Sequence, residues 1–489
     1  MKRFGPVLLV VVLTASAFAQ EKPNVILFVA DDLHRFDLGC YGAVNCKTPN
    51  IDRLAKEGMR MDQCYTAFTQ CTPCRGELYT GLFPRRNGII GNGIKARSDV
   101  KGLPLRLKPL GYRVGLVGKG HVGPDEVFPF ERVGDKKHDE IMENLDAIRE
   151  YVAKDKAQPF FLAVCSHQPH LPWDKGNPDS FDPSKFVIQP NHWDNQHIRK
   201  VLCKYYAEVE FLDMQVGAVR KIVKECGLEK NTLFIFVTEQ GAHLPGAKFT
   251  AYQPGFHAGM IARWTGRIEP GSSSDAIIQY ADVLPTLMEI CGGNAPKDID
   301  GRSFLKVLEG EADTHRDYAF SFITSALPAS TPGGYPIRAV TDSRFKLVRN
   351  YWPEKTYRCP GMGVEGIFKS WEADAETNPK AKKVVDTYEH HPAVEFYDLA
   401  SDPWEQNNLA NNPDFKKEMD RLQAKLDEWL KAQGDDPSES EKEAVAGRNA
   451  KRKRGGKPAM DEKPTEKQRK ADQEKRKADP KKTKRKDSK

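Results

Sequence analysis

No apolar run in this 489-residue chain approaches the roughly 20 residues needed to cross a bilayer. Cysteine is thin for a secreted scaffold. Ten are present, at 40, 46, 64, 71, 74, 165, 203, 226, 291 and 359, and that density excludes a disulfide framework as the basis of the fold. No second pair at zinc-ligand spacing stands ready to complete Cys71-x-x-Cys74. No internal repeat is visible. Aliphatic and aromatic residues almost vanish in 441–489, where 20 Lys/Arg face 9 Asp/Glu. Such a stretch cannot bury enough apolar area to offset its ordering entropy, so 435–489 reads as a disordered basic tail. The whole chain is only +7, so the 440 residues before that stretch carry a net −4. The tail has no interleaved aromatics, which argues against specific nucleic-acid recognition. It leaves tethering to a polyanion or a solubilising extension.

What is present begins with an export signal. Lys2 and Arg3 precede an apolar run at 7–13, and Ala17-Phe18-Ala19 is a small-x-small cleavage site. Residues 1–19 read as a signal peptide, with export to the periplasm or the extracellular space and no transmembrane anchor.

The body alternates β-rich runs with helical patterns. "NVILFVA" (24–30), "YRVGLVG" (112–118), "PFFLAVCS" (159–166) and "NTLFIFVT" (231–238) are near-continuous apolar strands. The span 197–227 has apolar residues at helical spacing and stops at a glycine. This pattern predicts an α/β fold with a large, mostly parallel sheet buried on both faces. Each strand ends in polar residues. Asp31, Asp32, Lys119, His121, His170, Glu239 and Gln240 would therefore line one sheet edge, where open α/β sheets bind ligands.

A catalytic domain over 20–325 and a smaller C-terminal α+β subdomain over 326–434 follow from the change of pattern. In the latter, 337–352 and 394–402 read as strands of a small antiparallel sheet. Residues 412–434 read as an amphipathic helix with Phe415, Met419, Leu422, Leu426 and Leu430 inward. Asn412 and Gly434 suit its caps.

The stretch "QCTPCRGELYTG" (70–81) has several readings. Cys-x-x-Cys at a helix start suits a redox pair. It could also be half of a zinc site, or a plain helix N-terminus in which the proline is explained and the rest is not.

Cys71-x-Pro73-x-Arg75 followed by Thr80-Gly81 resembles the signature of the type I sulfatases, with Cys74 where that family usually has Ser or Ala. The resemblance runs from about residue 23 to 430. It includes "PNVILFVADD", "GYRVGLVGKGHVGP", "PFFLAVCSHQPHLPW" and "VEFYDLASDPWEQNNLA". "KGHVGPDEVFPF", "YPIRAVTDSRFKLVRN" and "GAKFTAYQPG" look closest to the N-sulfoglucosamine sulfohydrolases (heparan N-sulfatases). The resemblance implies an alkaline-phosphatase-like fold. It also implies that a separate maturation enzyme oxidises Cys71 to formylglycine, whose hydrate attacks sulfur. By the same resemblance Asp31, Asp32, Glu239 and Gln240, with residue 71, would hold a divalent cation, expected to be Ca²⁺. Glu239-Gln240 departs from the family's usual Asp-Asn or Asp-His before glycine.

The other family roles carry over in the same way. Arg75 would orient the diol, and Lys119 and Lys248 would bind sulfate oxygens. His121 would act as base, and His170, with Lys248, would protonate the leaving atom. His167 and His243 flank the site without an assigned role, and His257 is a candidate for substrate contact. The substrate class implied is a sulfated saccharide, N- or O-linked, with 173–186 and 353–392 as specificity loops. Two alternatives stand beside it: a formylglycine-dependent phosphonate or phosphodiester hydrolase, and a non-catalytic glycan-binding pseudosulfatase.

Overall fold

The computed structural model describes residues 22–135, 140–325 and 330–453. The expected signal peptide, 1–19, and the basic stretch from 454 lie outside them. Among the described residues no helix is long and apolar enough to cross a membrane.

The four apolar runs are strands that sit side by side. They are β1 (Asn24–Ala30), β3 (Arg113–Gly118), β5 (Phe160–Cys165) and β6 (Thr232–Thr238). The remaining strands of this sheet are β2 (Met59–Tyr65), β4 (Glu131–Arg132), β7 (His257–Arg263), β8 (Ser272–Ser274) and β9 (Ile278–Gln279). The order is β4-β3-β5-β1-β6-β7-β2-β8, with β9 also pairing to β2. Only β7 runs antiparallel to its neighbours. Alternation along β1 explains its unbroken apolar sequence. Ile26, Phe28 and Ala30 feed one core, while Val25, Leu27 and Val29 feed another on the opposite face. On the first face lies α4 (Gln196–Glu225), preceded in the chain by α1 (Pro49–Lys56), α2 (Cys71–Thr80) and α3 (Leu145–Ala153). The Asn195 side chain caps α4 by accepting from the amides of His197 and Ile198.

A second, antiparallel sheet follows, in the order β10 (Ala319–Ile323), β11 (Ile337–Thr341), β12 (Phe345–Asn350), β13 (Val394–Asp398). Its edge strand β10 starts before residue 326, so the expected boundary at 325/326 falls too late. The run 337–352 is two strands rather than one. Asp342 turns the chain, its side chain accepting from the amides of Arg344 and Phe345. After α5 (Val283–Ile290), α6 (Ile367–Ala375) and α7 (Pro379–Glu389) comes α8 (Lys416–Gln433). It buries Leu422, Leu426 and Leu430 as expected, together with Trp429, which stacks on Phe320 at 4.9 Å. Phe415 and Met419 are only partly buried. Asn412 caps a short turn over Pro413–Phe415 rather than α8 itself, and Gly434 ends α8 in a left-handed conformation.

The reading of 435–489 as disordered needs correction at its start. Residues Pro437–Lys453 form a helix, α9, in which Ser440, Glu441 and Ala444 are buried. Composition averaged over the tail hides these few anchoring positions. Buried Arg338 bonds Asp435 at 2.6 Å just before α9. Both oxygens of Glu441 accept from the Ser325 amide, at 3.0 and 3.2 Å.

Burial pushes the Glu441 carboxyl up to about 7, against the pull of the Ser325 amide. A carboxyl raised from 4.5 holds its proton more tightly when folded. Its stabilisation is therefore complete below about pH 4.5 and is lost as pH rises through about 7. Amide protection across 437–449, corrected for intrinsic exchange, should fall between pH 5 and pH 8, and Glu441→Gln should remove that dependence. Identical profiles in the two proteins would count against docking through this carboxyl.

Candidate active site

Strand register gathers the site. Val29 pairs with Cys165, Cys165 with Gly118, and Ala30 with Thr238. The next residues of the four strands, Asp31, Ser166, Lys119 and Glu239, therefore emerge in one row at the carboxyl edge. The row is tied crosswise. The amide of Glu239 donates to the Ala30 carbonyl at 2.8 Å, and that of Lys119 to the Cys165 carbonyl at 2.9 Å.

Cys71 is the first residue of α2, which follows β2 from the same edge. Gln70 positions it by donating to the Thr324 carbonyl at 2.9 Å and accepting from the Asn92 amide at 3.1 Å. Asn92 in turn accepts from the Thr72 amide at 3.0 Å. Glu77 fastens the helix by accepting from the amides of Ala67 and Ala281, at 2.7 and 3.2 Å. Gly81 closes α2 at φ 68°, a conformation that glycine adopts at no steric cost. The whole motif from Cys71 to Thr80 is buried.

The Cys71 thiol lies 3.5 Å from Asp31 Oδ1 and 3.9 Å from Asp32 Oδ1. Burial, and then the charges of Asp31 and Glu239, push that thiol well above its ordinary range. Cys74 points away, donating to the Glu239 carbonyl at 2.8 Å, and burial raises its thiol too. Burial raises both thiols, which speaks against a redox pair. The cysteines are all unbridged.

Three acids and three cations meet here, all of them buried. Arg75, fully buried, bonds Glu239 Oε1 at 2.5 Å and the Lys119 carbonyl at 2.7 Å, and lies 4.0 Å from Asp31. Lys119 bonds Asp31 Oδ2 and lies 3.7 Å from the Cys71 sulfur. Lys248 donates to Asp32 Oδ2 at 2.8 Å. Burial opposes charge on Asp31 more than any single neighbour favours it, but Lys119, a hydrogen bond with Glu239, His170 and Arg75 together hold that carboxyl well below the usual range. Burial raises Asp32 despite Lys248, and raises Glu239 well above its usual range despite Arg75.

The histidines divide. His170 Nδ1 faces the Leu171 carbonyl at 2.7 Å, and Nε2 lies 3.6 Å from Asp32 Oδ2. A carbonyl only accepts, so Nδ1 carries a proton and Nε2 is the nitrogen that can gain or give one. His121 stands two residues past Lys119, half-buried, at φ 51°. His243, left without a role by the sequence reading, is 3.6 Å from Asp32 through Nδ1, and its ring meets that of His170 edge-on at 6.0 Å. Its place three residues beyond the strand-end pair was the available signal. His257 is not in the cluster. It bonds Arg35, approaches the Asp62 carbonyl at 2.8 Å and stacks on Tyr65.

The donor set fits a hard divalent cation. Ligand atoms of Asp31, Asp32, Cys71 and Glu239 lie within 4.8 Å of one another. Glu239 Oε2 and Gln240 Oε1 are buried with no hydrogen-bond partner. Gln240 Nε2 donates to Asp32, which leaves its carbonyl oxygen as the available ligand. Oxygen-only acceptors left bare in a dry site are what a Ca²⁺-like ion satisfies.

Comparisons with known proteins agree with this geometry. The family model "Sulfatase" matches residues 23–293, and "N-sulphoglucosamine sulphohydrolase, C-terminal" matches 243–359. An ulvan-active sulfatase of Formosa agariphila is 34% identical over 433 residues, covering 88% of this chain and 84% of that protein. Human N-sulphoglucosamine sulphohydrolase is 25% identical over 472 residues, covering 83% and 89%. A structure solved with its substrate D-glucosamine-2-N,6-O-disulfate shares the fold at TM-score 0.68 and 20% identity, covering 86% of this chain and 99% of that one. The chain belongs to the sulfatase family, hydrolases of sulfate esters or sulfamates.

Two outcomes are expected of the cluster. Excess chelator should lower the melting temperature by several degrees, and Glu239→Ala should lower it and remove the chelator effect, as read by calorimetry. Cys74→Ser keeps the donor to the Glu239 carbonyl and should retain most activity, whereas Cys71→Ala should lose turnover by 10³-fold or more, on the order of removing a nucleophile, with the melting temperature kept.

Proposed function

We propose that this member of the sulfatase family is an exported enzyme that removes sulfate from sulfated sugars, with Cys71 oxidised to formylglycine and a Ca²⁺ ion held by Asp31, Asp32, Glu239, Gln240 and residue 71. The observation that carries the reading is the placement of Cys71. It stands at a helix start among three acids and three cations, with a thiol that burial pushes well above its ordinary range. The Cys71 sulfur marks where the oxygens of the oxidised side chain would stand. That group supplies a hydrated aldehyde as nucleophile, and the cation supplies positive charge that polarises the sulfate.

The chain's own residues do the rest. Lys119 and Lys248 carry the ammonium groups that can take up sulfate oxygens, and both sit within the cluster rather than on the surface. Arg75 acts from beneath, fixing Glu239 and, through the Lys119 carbonyl, the turn that bears Lys119. His170 Nε2 is the proton donor to the leaving oxygen or nitrogen, and His121 takes the role of base. Because the C-x-P-x-R motif is buried in the folded protein, its maturation enzyme must act before folding is complete. The signal peptide would deliver the protein to the periplasm or beyond, and the basic tail would tether it to a polyanion.

Two observations bear on the sugar. The C-terminal match to N-sulphoglucosamine sulphohydrolase supports an N-sulfated glucosamine, and the 34% identical relative supports an ulvan-type polysaccharide. Sulfate release from each, measured side by side, decides between them. Mass spectrometry of the residue-71 peptide tests the aldehyde; an unmodified cysteine in active enzyme would overturn the mechanism.

An aryl sulfate has a leaving group that departs unaided, whereas a sugar oxygen or amine needs a proton. His170→Ala should therefore lose roughly 10²-fold or more in kcat/KM on sulfated sugars and far less on an aryl sulfate. Equal losses on the two substrates would remove the donor role from His170.

A further inference from the structure

Glu140 stands just before the turn Ile141–Asn144 that leads into α3, outside the cluster described above. Its side chain nevertheless reaches the segment that carries His170. Resting on the sulfatase reading, we propose that Glu140 is a positioning residue for the reaction. With Gln215 and Ser166 it fixes Gln168, and through Gln168 it sets the proton donor His170 relative to Asp31.

The four residues form a closed ring of hydrogen bonds. Gln168 Nε2 donates to Glu140 Oε2 at 2.7 Å, and Gln215 Nε2, from α4, donates to the other oxygen of the same carboxylate. The Ser166 hydroxyl donates to Gln215 Oε1 at 2.7 Å and accepts from the Gln168 backbone amide at 2.8 Å, which completes the circuit. Ser166, Gln168 and Gln215 are all buried, and Glu140 is half-buried. An ionised carboxylate only accepts, so both glutamines must turn their NH₂ groups toward it. That leaves the Gln215 oxygen facing the serine and settles the direction of every bond in the ring. Bonds to a charged acceptor are the strong kind, and linked bonds in a buried site reinforce one another. Glu140 is itself held in place. Its carbonyl accepts from Asn144 Nδ2 at 2.7 Å, and its side chain also accepts from the Met142 amide at 3.5 Å.

Gln168 carries the consequence to the site. Its carbonyl accepts from the Asp31 amide at 3.0 Å, the first amide beyond β1. His170 is two residues further on, and its amide donates to the His167 carbonyl at 2.8 Å, so the imidazole rides on the turn that contains Gln168. Trp173 pins the far side of that turn by donating to the Pro169 carbonyl at 2.7 Å. One residue thus ties a proposed cation ligand to the proposed proton donor, and the ring decides where that residue lies. A misplacement of 1 Å in such an arrangement can cost about 10²-fold in rate.

Two variants of the full-length enzyme test the role. Glu140→Leu keeps bulk and removes both acceptors. Gln168→Met removes the side-chain donor, keeps the backbone, and carries the test if the loss of Glu140 unfolds the turn. Each is measured on an aryl sulfate, on N-sulfoglucosamine and on a sulfated ulvan disaccharide. Both variants should lose about 10-fold or more in kcat on the sugar that the wild type hydrolyses, with KM within about 3-fold. The aryl-sulfate kcat should stay within about 3-fold, because a phenolate leaves without the proton that His170 supplies. In a His170→Ala background the same changes should cost less than about 2-fold more on the sugar. Hydrogen exchange at the Asp31 amide reads the contact apart from turnover. It should quicken about 10-fold or more in both variants while the amides of β6 keep their protection. Equal losses on sugar and aryl sulfate, additive losses in the His170→Ala background, or an unchanged Asp31 amide would overturn the positioning role. A wild type that hydrolyses none of the three substrates, with the Asp31 amide still released by Glu140→Leu, would instead refute the sulfatase reading.

Discussion

Three carboxylates lie with oxygens within 4.8 Å of one another in a buried cluster, and much of this molecule is organised to tolerate that. Like charges so close raise one another's cost of ionisation, and burial adds to it. Arg75, Lys119 and Lys248 supply the counter-charge, each bonded to a different acid. Buried ion pairs of this kind are weak sources of stability, because the desolvation of the partners offsets most of their attraction. Their retention here is therefore better explained by chemistry than by folding. Burial and the charges of Asp31 and Glu239 push the Cys71 thiol well above its ordinary range.

Backbone strain follows the same residues. Among the described residues six non-glycine positions have positive φ, and Asp32 and His121 are two of them. A third, Phe249, adjoins Lys248. Phe249 is pinned from two sides. Its amide donates to the Thr69 carbonyl at 3.0 Å, and its carbonyl accepts from the Tyr357 hydroxyl at 2.9 Å. The first contact comes from the approach to α2, the second from the C-terminal region, so the small sheet and its helices brace the loop that delivers Lys248. Gly241 is needed for that loop to fold back, because a Cβ there would sit 1.7 Å from the Pro254 carbonyl oxygen.

The parallel sheet and the row of functional residues were legible because they follow from local rules. Unbroken apolar strands imply burial on both faces, and parallel neighbours put their carboxyl ends on one edge. Asp31, Asp32, Lys119 and Glu239 could be placed on that basis alone. His243 could be placed only as flanking the site and given no role, since it sits beyond the strand in an irregular loop whose path depends on Gly241 and Phe249. The start of the tail was missed for a related reason. A few buried positions, Ser440, Glu441 and Ala444, dock α9 in a stretch whose average composition is that of a solvated chain. His257 looked near the site in sequence because it follows the Lys248 loop, but its contact with Arg35 and its stacking on Tyr65 make it part of the sheet's packing.

The unusual pair Glu239-Gln240 is the remaining point, and its surroundings account for the added length. Each side chain is one methylene longer than the family's usual residue, so an unaltered backbone would push the oxygens past the cluster. Two contacts set the reach of Glu239. The Cys74 thiol holds its carbonyl, and the Arg75 Nε holds Oε1, which leaves Oε2 unpartnered. Gln240 is treated alike: its amide nitrogen is spent on Asp32, and its oxygen is left bare. Both longer residues thus contribute one anchored atom and one bare acceptor. Cys74, the other departure from the motif, supplies the contact that fixes Glu239 from behind. The two departures meet in one local arrangement, which leaves one oxygen of Glu239 and one of Gln240 without a hydrogen-bond partner, as the proposed cation site would need.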